Sequence, residues 1–227
     1  MSEQLSPFSN PEAVARYADG PPRIVPGYSA MQRMTTLLLA ERVPENGTVL
    51  VLGAGGGLEL KEFAEAHRGW TFDGIDPSAE MLKLAERTLG PFESRVSLHQ
   101  GYVDSAREGP FDAATCILTA HFMSPEERQR TAIEIRRRLR PGAPYVSAHL
   151  CIPRGQGDRA LWLSRYAAFA IANGIEPGQV ANGRTAIETK THVLTPEEDE
   201  AILHAAGFSN VSLFYAAFTF RGWVAYA

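Results

Sequence analysis

The stretch TVLVLGAGGGLELKEF, Thr48–Phe63, decides how the rest of the chain is read. The run Val49–Leu52 is apolar without alternation, the pattern of a strand buried on both faces. Four glycines follow within Gly53–Gly57, and from Leu58 to His67 the spacing becomes that of an amphipathic helix. A strand, a glycine turn and a helix in that order make the opening unit of a parallel α/β sheet.

Outward from this unit the alternation continues. WTFDGID (70–76), RVSLHQG (95–101), FDAATCILTA (111–120) and APYVSAHLCI (143–152) read as strands. Between them lie SAEMLKLAERTLG, with Ser78 as N-cap and Gly90 as stop, and SPEERQRTAIEIRRRLRPG. The second carries Ser124 as cap, Pro125 at N1, Glu127 at N3 and arginines at its end. Residues 157–174 and 176–190 read as helices, TPEEDEAILHAAG (195–207) repeats the cap-and-glycine pattern, and NVSLFYAAFTFRGWVAYA (210–227) reads as two closing strands. The expected fold is a Rossmann-like, seven-stranded α/β sheet with helices on both faces and a helical lid. Four segments follow: N-terminal helices and a cofactor-covering segment (1–45), with a loose arm over 1–10; a ligand-binding core (46–152); a lid over the ligand edge (153–192); and a closing helix and strands (193–227).

Ligands of such sheets bind beyond the carboxyl ends of the strands, so the glycine turn is the place to look. A dinucleotide fingerprint needs G-x-G-x-x-G/A, and position 58 is leucine. A P-loop needs Gly-Lys-Ser/Thr, which is absent. G-x-G-x-G over Gly53, Gly55 and Gly57 fits S-adenosylmethionine (SAM), whose methionyl part carries no phosphate and needs a flat backbone surface. The next strand ends in Asp76, where a carboxylate can accept both ribose hydroxyls. GYVDSA and CILTAHFM, after the third and fourth strands, are then expected beside adenine and sulfonium.

Composition narrows the function classes. A formal net charge of −4 argues against a general nucleic-acid surface, and Arg136–Arg140 reads as a solvated helix end that complements the helix dipole. Two cysteines, Cys116 and Cys151, both in apolar runs, read as buried thiols; no metal site is expected. No apolar run approaches the roughly 20 residues of a membrane span, and the first residues lack a signal-peptide pattern, so a cytoplasmic protein is expected.

With these motifs the sequence resembles the class I SAM-dependent methyltransferases over about residues 45–152. Its flanks, RIVPGYSAM, FAIANG, EAILHAAGF and LFYAAFTFRGWVA, are similar to the carboxy-SAM synthase branch, which makes carboxy-SAM from SAM and prephenate for tRNA wobble-uridine modification. The resemblance implies SAM as cofactor and contacts from Tyr28, Gly53, Ala54, Gly55, Gly57, Asp76, Pro77, Met81, Tyr102, Val103, Asp104 and Ile117. It puts the arginine that meets the extra carboxylate of carboxy-SAM on Arg184. Three positions depart from that branch: its first-motif acid falls on Val51, its adenine-contacting aspartate on Tyr102, and its fourth-strand asparagine on Ile117.

The expected activity is methyl transfer from SAM to a small-molecule acceptor. His121, just after the fourth strand, is the candidate base, with packing as its competing role. Arg165, Tyr166 and Arg184 of the lid are the candidate acceptor contacts. Carboxy-SAM synthesis and a non-catalytic, SAM-binding regulatory role are the alternatives. A homodimer is expected from the resemblance and the aromatic flanks.

Overall fold

The computed structural model describes residues 8–155 and 158–227; the first seven residues of the expected N-terminal arm lie outside the described residues. In chain order the elements are α1 (Pro11–Ala15), α2 (Pro21–Ile24), α3 (Tyr28–Ala40), β1 (Thr48–Leu52), α4 (Leu58–Ala66), β2 (Thr71–Asp76), α5 (Ala79–Leu89), β3 (Val96–Gln100), β4 (Ala113–Ile117), α6 (Pro125–Arg138), β5 (Pro144–Leu150), α7 (Asp158–Ala172), α8 (Pro177–Lys190), α9 (Pro196–Ala205), β6 (Ser209–Ala217) and β7 (Phe220–Tyr226). The strands form one seven-stranded sheet in the order β3-β2-β1-β4-β5-β7-β6. The first five are parallel, and β7 and β6 close the edge antiparallel.

The two-residue period of β1 explains why it sits at the centre. Val49 and Val51 face a core built with Met31 and Leu39 of α3 and Phe63 of α4. Leu50 and Leu52 face the other core, with Ala132 and Ile135 of α6 and Trp223 of β7. Each strand residue is thus buried against a helix, which is why the run shows no polar alternation. Local signals start the helices where expected. Ser124 Oγ accepts from the Glu127 N–H at 3.2 Å and Glu127 Oε2 from the Ser124 N–H at 2.9 Å. Thr195 and Glu198 repeat this reciprocal pair at α9, each cap contributing about 1 kcal/mol.

The order of strands reverses at β1 and β4, and there the connections after β1 and β4 part and leave a cleft. Helices α7 and α8 lie elsewhere. Leu163, Tyr166 and Ile187 pack with Val25, Leu150, Ile152 and Phe220, which docks the pair beside α2 and over the β5–β7 side.

Candidate cofactor and acceptor site

The cleft holds a cavity of about 620 Å³ at the carboxyl ends of the parallel strands. The glycine turn forms one wall. Gly53 and Gly55 adopt φ of +75° and +48°, conformations that L side chains rarely adopt. A Cβ on Gly53 would stand 2.0 Å from Thr119 Oγ1, so the turn after β1 and the turn after β4 are in contact.

Asp76 closes the end of β2. Its Oδ2 accepts from the Gly55 N–H at 2.9 Å and its Oδ1 from the Ser78 N–H at 2.8 Å, so the carboxylate also fixes the shape of the glycine turn. Burial pushes its pKa up, and the two backbone donors partly offset that. Pro77, Ser78 and Met81 continue this wall, and Tyr102, Val103 and Asp104 add the turn after β3. Beyond β4, Leu118 takes φ +56°, which turns the chain so that Leu118, Thr119, Phe122 and Met123 line the cavity.

Two residues from the N-terminal segment complete the enclosure, Phe8 and Tyr17. The Phe8 carbonyl accepts from Ser78 Oγ at 2.6 Å, and the Phe8 ring meets Phe122 edge-on with centroids 5.4 Å apart. Phe8 and Tyr17 also pack on Val14, Met81 and Leu84, holding the segment against α5.

The charge of the lining discriminates between ligands. It carries four carboxylates, Asp76, Asp104, Glu127 and Glu134, and one guanidinium, Arg130. Glu134 is paired with Arg137 and Arg138 of its own helix, which leaves three acids against one cation. A diphosphate would meet net repulsion there, whereas a sulfonium and an ammonium meet attraction. The residues present therefore fit SAM, with Asp76 for the ribose and the glycine turn for the methionyl part. Among the described residues no cluster of His, Cys, Asp or Glu could hold a metal ion, and no helix is long and apolar enough to cross a membrane.

Residues 49–142 match the model of the methyltransferase domain family. Over that stretch, which runs from β1 to the end of α6, the chain is similar to methyltransferase domains. It is 28% identical to the carboxy-S-adenosyl-L-methionine synthase of Chromohalobacter salexigens, over 99% of this chain and 85% of that protein. Among solved structures it is similar to an O-methyltransferase family protein from Burkholderia thailandensis, with a TM-score of 0.71 at 14% identity over 98% of this chain and 62% of that one. It is also similar to human N-acetylserotonin methyltransferase, a structure in complex with SAM, with a TM-score of 0.63 at 14% identity over 98% and 58%. The chain thus spans about three-fifths of the length of those two structures.

Of the residues expected to contact the cofactor, the structure brings together Gly53, Gly55, Asp76, Pro77, Met81, Tyr102, Val103 and Asp104 at the cavity wall. Other expected residues lie elsewhere. Gly57 serves helix packing, because a Cβ there would stand 2.9 Å from the backbone of Ala85 in α5. Ala54 is buried against Gly74 of β2. Ile117 points into the core with Val146 and Ala148, and its neighbours Leu118 and Thr119 take the cavity position. Tyr28 is held by Gln32, whose Nε2 donates to its hydroxyl at 2.9 Å, and does not line the cavity.

His121 is buried and also off the cavity wall. The 3-10 turn Ala120–Phe122 directs its ring inward, and its carbonyl accepts from the His192 N–H at 2.7 Å. Burial, with His149 and Arg128 nearby, holds its pKa well below the usual histidine range. Its ring lies behind the wall, 4.3 Å between centroids from the ring of Phe122. Arg165, Tyr166 and Arg184 do not line the cavity either: Arg165 stacks on Trp162 at 4.4 Å, and Tyr166 is buried against Phe220. Among the described residues none of 153–192 lines this cavity, whereas Phe8 and Tyr17 do.

Sequence reasoning did not single out Phe8, Tyr17 or Ser78 as cavity residues, and it reached Thr119, Phe122 and Met123 only as members of the stretch after β4. For the cover the one signal was an aromatic residue, Phe8, in an otherwise polar N-terminal stretch. Behind the cavity, a buried cluster joins five segments. Arg128 pairs with Asp199, its Nη2 donates to the carbonyls of Ala120 at 2.9 Å and His192 at 2.8 Å, and His149 Nε2 lies 3.1 Å from Asp199 Oδ2.

Proposed function

We propose that this domain transfers the methyl group of SAM to a small-molecule acceptor. The cavity that carries the reading is acid-rich and placed at the carboxyl edge between the turns after β1 and β4. SAM, when bound, supplies an electrophilic methyl group on a good leaving group. The chain has to orient and to exclude water. Asp76 and the Gly53–Gly55 backbone orient the cofactor, Pro77, Met81, Tyr102, Val103 and Asp104 enclose its nucleoside end, and Phe8, Phe122 and Met123 keep water from the reacting end. The covering aromatic segment supports a small acceptor over a macromolecule, and the net charge of −4 gives nucleic acid no general docking face.

Methyl-labelled SAM incubated with pooled small metabolites tests this. Label should move to a metabolite with the wild type and fall to background with Asp76→Asn. Absence of any transfer, with SAM bound, overturns it.

Similarity to a carboxy-SAM synthase over 99% of the chain favours a second reading, conversion of SAM and prephenate to carboxy-SAM. Its expected carboxylate-binding residue, Arg184, stands on α8 away from the cavity wall, and the positions at Tyr102 and Ile117 differ from that branch. Mass spectrometry of a SAM and prephenate incubation decides between the two. A product heavier than SAM by a carboxyl group, lost in Arg184→Ala, supports the synthase and counts against simple methyl transfer.

A further inference from the structure

Glu59 is an acid that neither the motifs nor the cavity wall accounts for. It sits in the first turn of α4, two residues past the glycine turn, and is only 7% exposed. Its Oε1 accepts from Thr115 Oγ1 at 3.1 Å, and no described residue donates to its other oxygen. Thr115 is the register partner of Val51, so the carboxyl lies on the sheet face below the glycine turn, beside the position where the related synthases carry their acid.

Every titratable group acting around Glu59 is an acid, a phenol or a thiol. These are Asp76 of β2, Tyr17 of the N-terminal segment, Tyr28 of α3 and Cys116 of β4; Glu62 of α4 acts on Tyr28. No arginine, lysine or histidine among the described residues acts on Glu59. Tyr17 links the cluster to the cavity: it lines the wall, and its hydroxyl lies 3.9 Å from where a Cβ on Gly55 would stand. A second acceptor in the same cluster is also unmatched. Gln32 is 4% exposed, bonds Tyr28 through Nε2, and leaves its buried Oε1 without a partner.

A buried carboxyl without a cation is costly and takes up a proton in response. Here burial pushes the Glu59 pKa up to about 8. The missing partner should therefore be a cation brought by the ligand, with several donors to give.

We propose that Glu59 is the counter-charge for the α-ammonium group of SAM, replacing from α4 the acid that Val51 does not provide. The proposal rests on SAM being the cofactor. An ammonium offers three N–H donors, which matches Glu59 and the orphan oxygen of Gln32.

Calorimetry at pH 7, repeated in buffers of different ionisation enthalpy, tests it with three ligands: SAM, S-adenosylhomocysteine and methylthioadenosine. The first two carry the ammonium, and the third lacks it while keeping the ribose that meets Asp76. Glu59 is about nine-tenths protonated at pH 7 in the free protein, so SAM and S-adenosylhomocysteine should each release close to one proton more than methylthioadenosine. In Glu59→Gln that extra release should vanish, with affinity for the first two falling roughly 10- to 100-fold and for methylthioadenosine changing less than about twofold. The proton count in the wild type needs no variant, so a poorly folding Glu59→Gln leaves the test intact. Equal release by all three ligands, or release with SAM alone, overturns the proposal while leaving the cofactor in place. Failure of SAM to bind the wild type overturns both.

Discussion

On the α3–α4 face of the sheet, Glu59 lies buried among Tyr17, Tyr28 and Asp76 without a cation. On the α6–α9 face, Asp199 lies equally buried between Arg128 and His149. The two carboxyls respond in opposite directions. Burial pushes Glu59 up and nothing of opposite charge restrains it, whereas for Asp199 burial is overcome by His149 and Arg128, which hold its pKa below the usual range. The Asp199 cluster is neutralised inside the fold and ties α6, α9, β5 and the segments at 120 and 192 together. The carboxyl that the protein itself matches with cations serves the fold. The one left unmatched holds a proton in the free protein and, on the proposal above, gives it up when a ligand's cation binds.

The largest expected effect breaks the matched cluster. Asp199→Ala leaves Arg128 buried and unpaired and should cost about 3–5 kcal/mol of unfolding free energy by urea titration. Because the folded pKa of Asp199 is depressed, its contribution is present above the unfolded carboxyl value and is lost as pH falls below about 4. The variant should lose that acid-side dependence.

Glu59 should show the mirror image. Its folded pKa is raised, so the ligand-free protein loses stability as pH rises from 4.5 to about 8. Glu59→Gln should remove this decline and be more stable than the wild type at pH 9. The gain should be about 1.4 kcal/mol for each tenfold by which folding tightens the hold of this carboxyl on its proton. Unfolding curves at pH 5 and pH 9 check the sign, and greater stability of the wild type at pH 9 would contradict it.

Asp76→Asn sharpens the comparison on the cavity side. It should weaken SAM and methylthioadenosine alike, by about 1.5–3 kcal/mol, where Glu59→Gln separates them. Calorimetry reads both. Gly53→Ala strains the turn by about 1–2 kcal/mol and sets a Cβ against Thr119, so SAM affinity should fall at least about tenfold in the same assay. The smallest effect belongs to Arg165→Ala, on the exposed face of α7, which should change SAM affinity and stability by less than about 0.5 kcal/mol.

The glycine turn, Asp76 and the capped helices were legible because each is a local signal: a φ requirement, a strand end, a hydroxyl three residues before a glutamate. Gly57 shows the limit of such reading. Its positive φ is real, but its closeness to Ala85 makes it a packing glycine, and only the placement of α5 reveals that. His121 shows a second limit, since one 3-10 turn decides whether a residue after a strand faces the cavity or the core. The lid assignment rested on sequence order, and α7–α8 instead buried their apolar side against α2 and β7.

By itself the sequence determined the alternating α/β architecture, the sheet with two closing strands, and the turn and carboxylate at the head of β1 and β2. These follow from periodicity and backbone chemistry within a few residues. Only the tertiary structure decided that Phe8 and Tyr17 cover the cavity, and that Glu59 reaches Thr115 beside Val51 while Asp199 reaches Arg128. Those contacts join residues far apart in the chain, and burial, which sets the charge state of each carboxyl, exists only once the elements have packed.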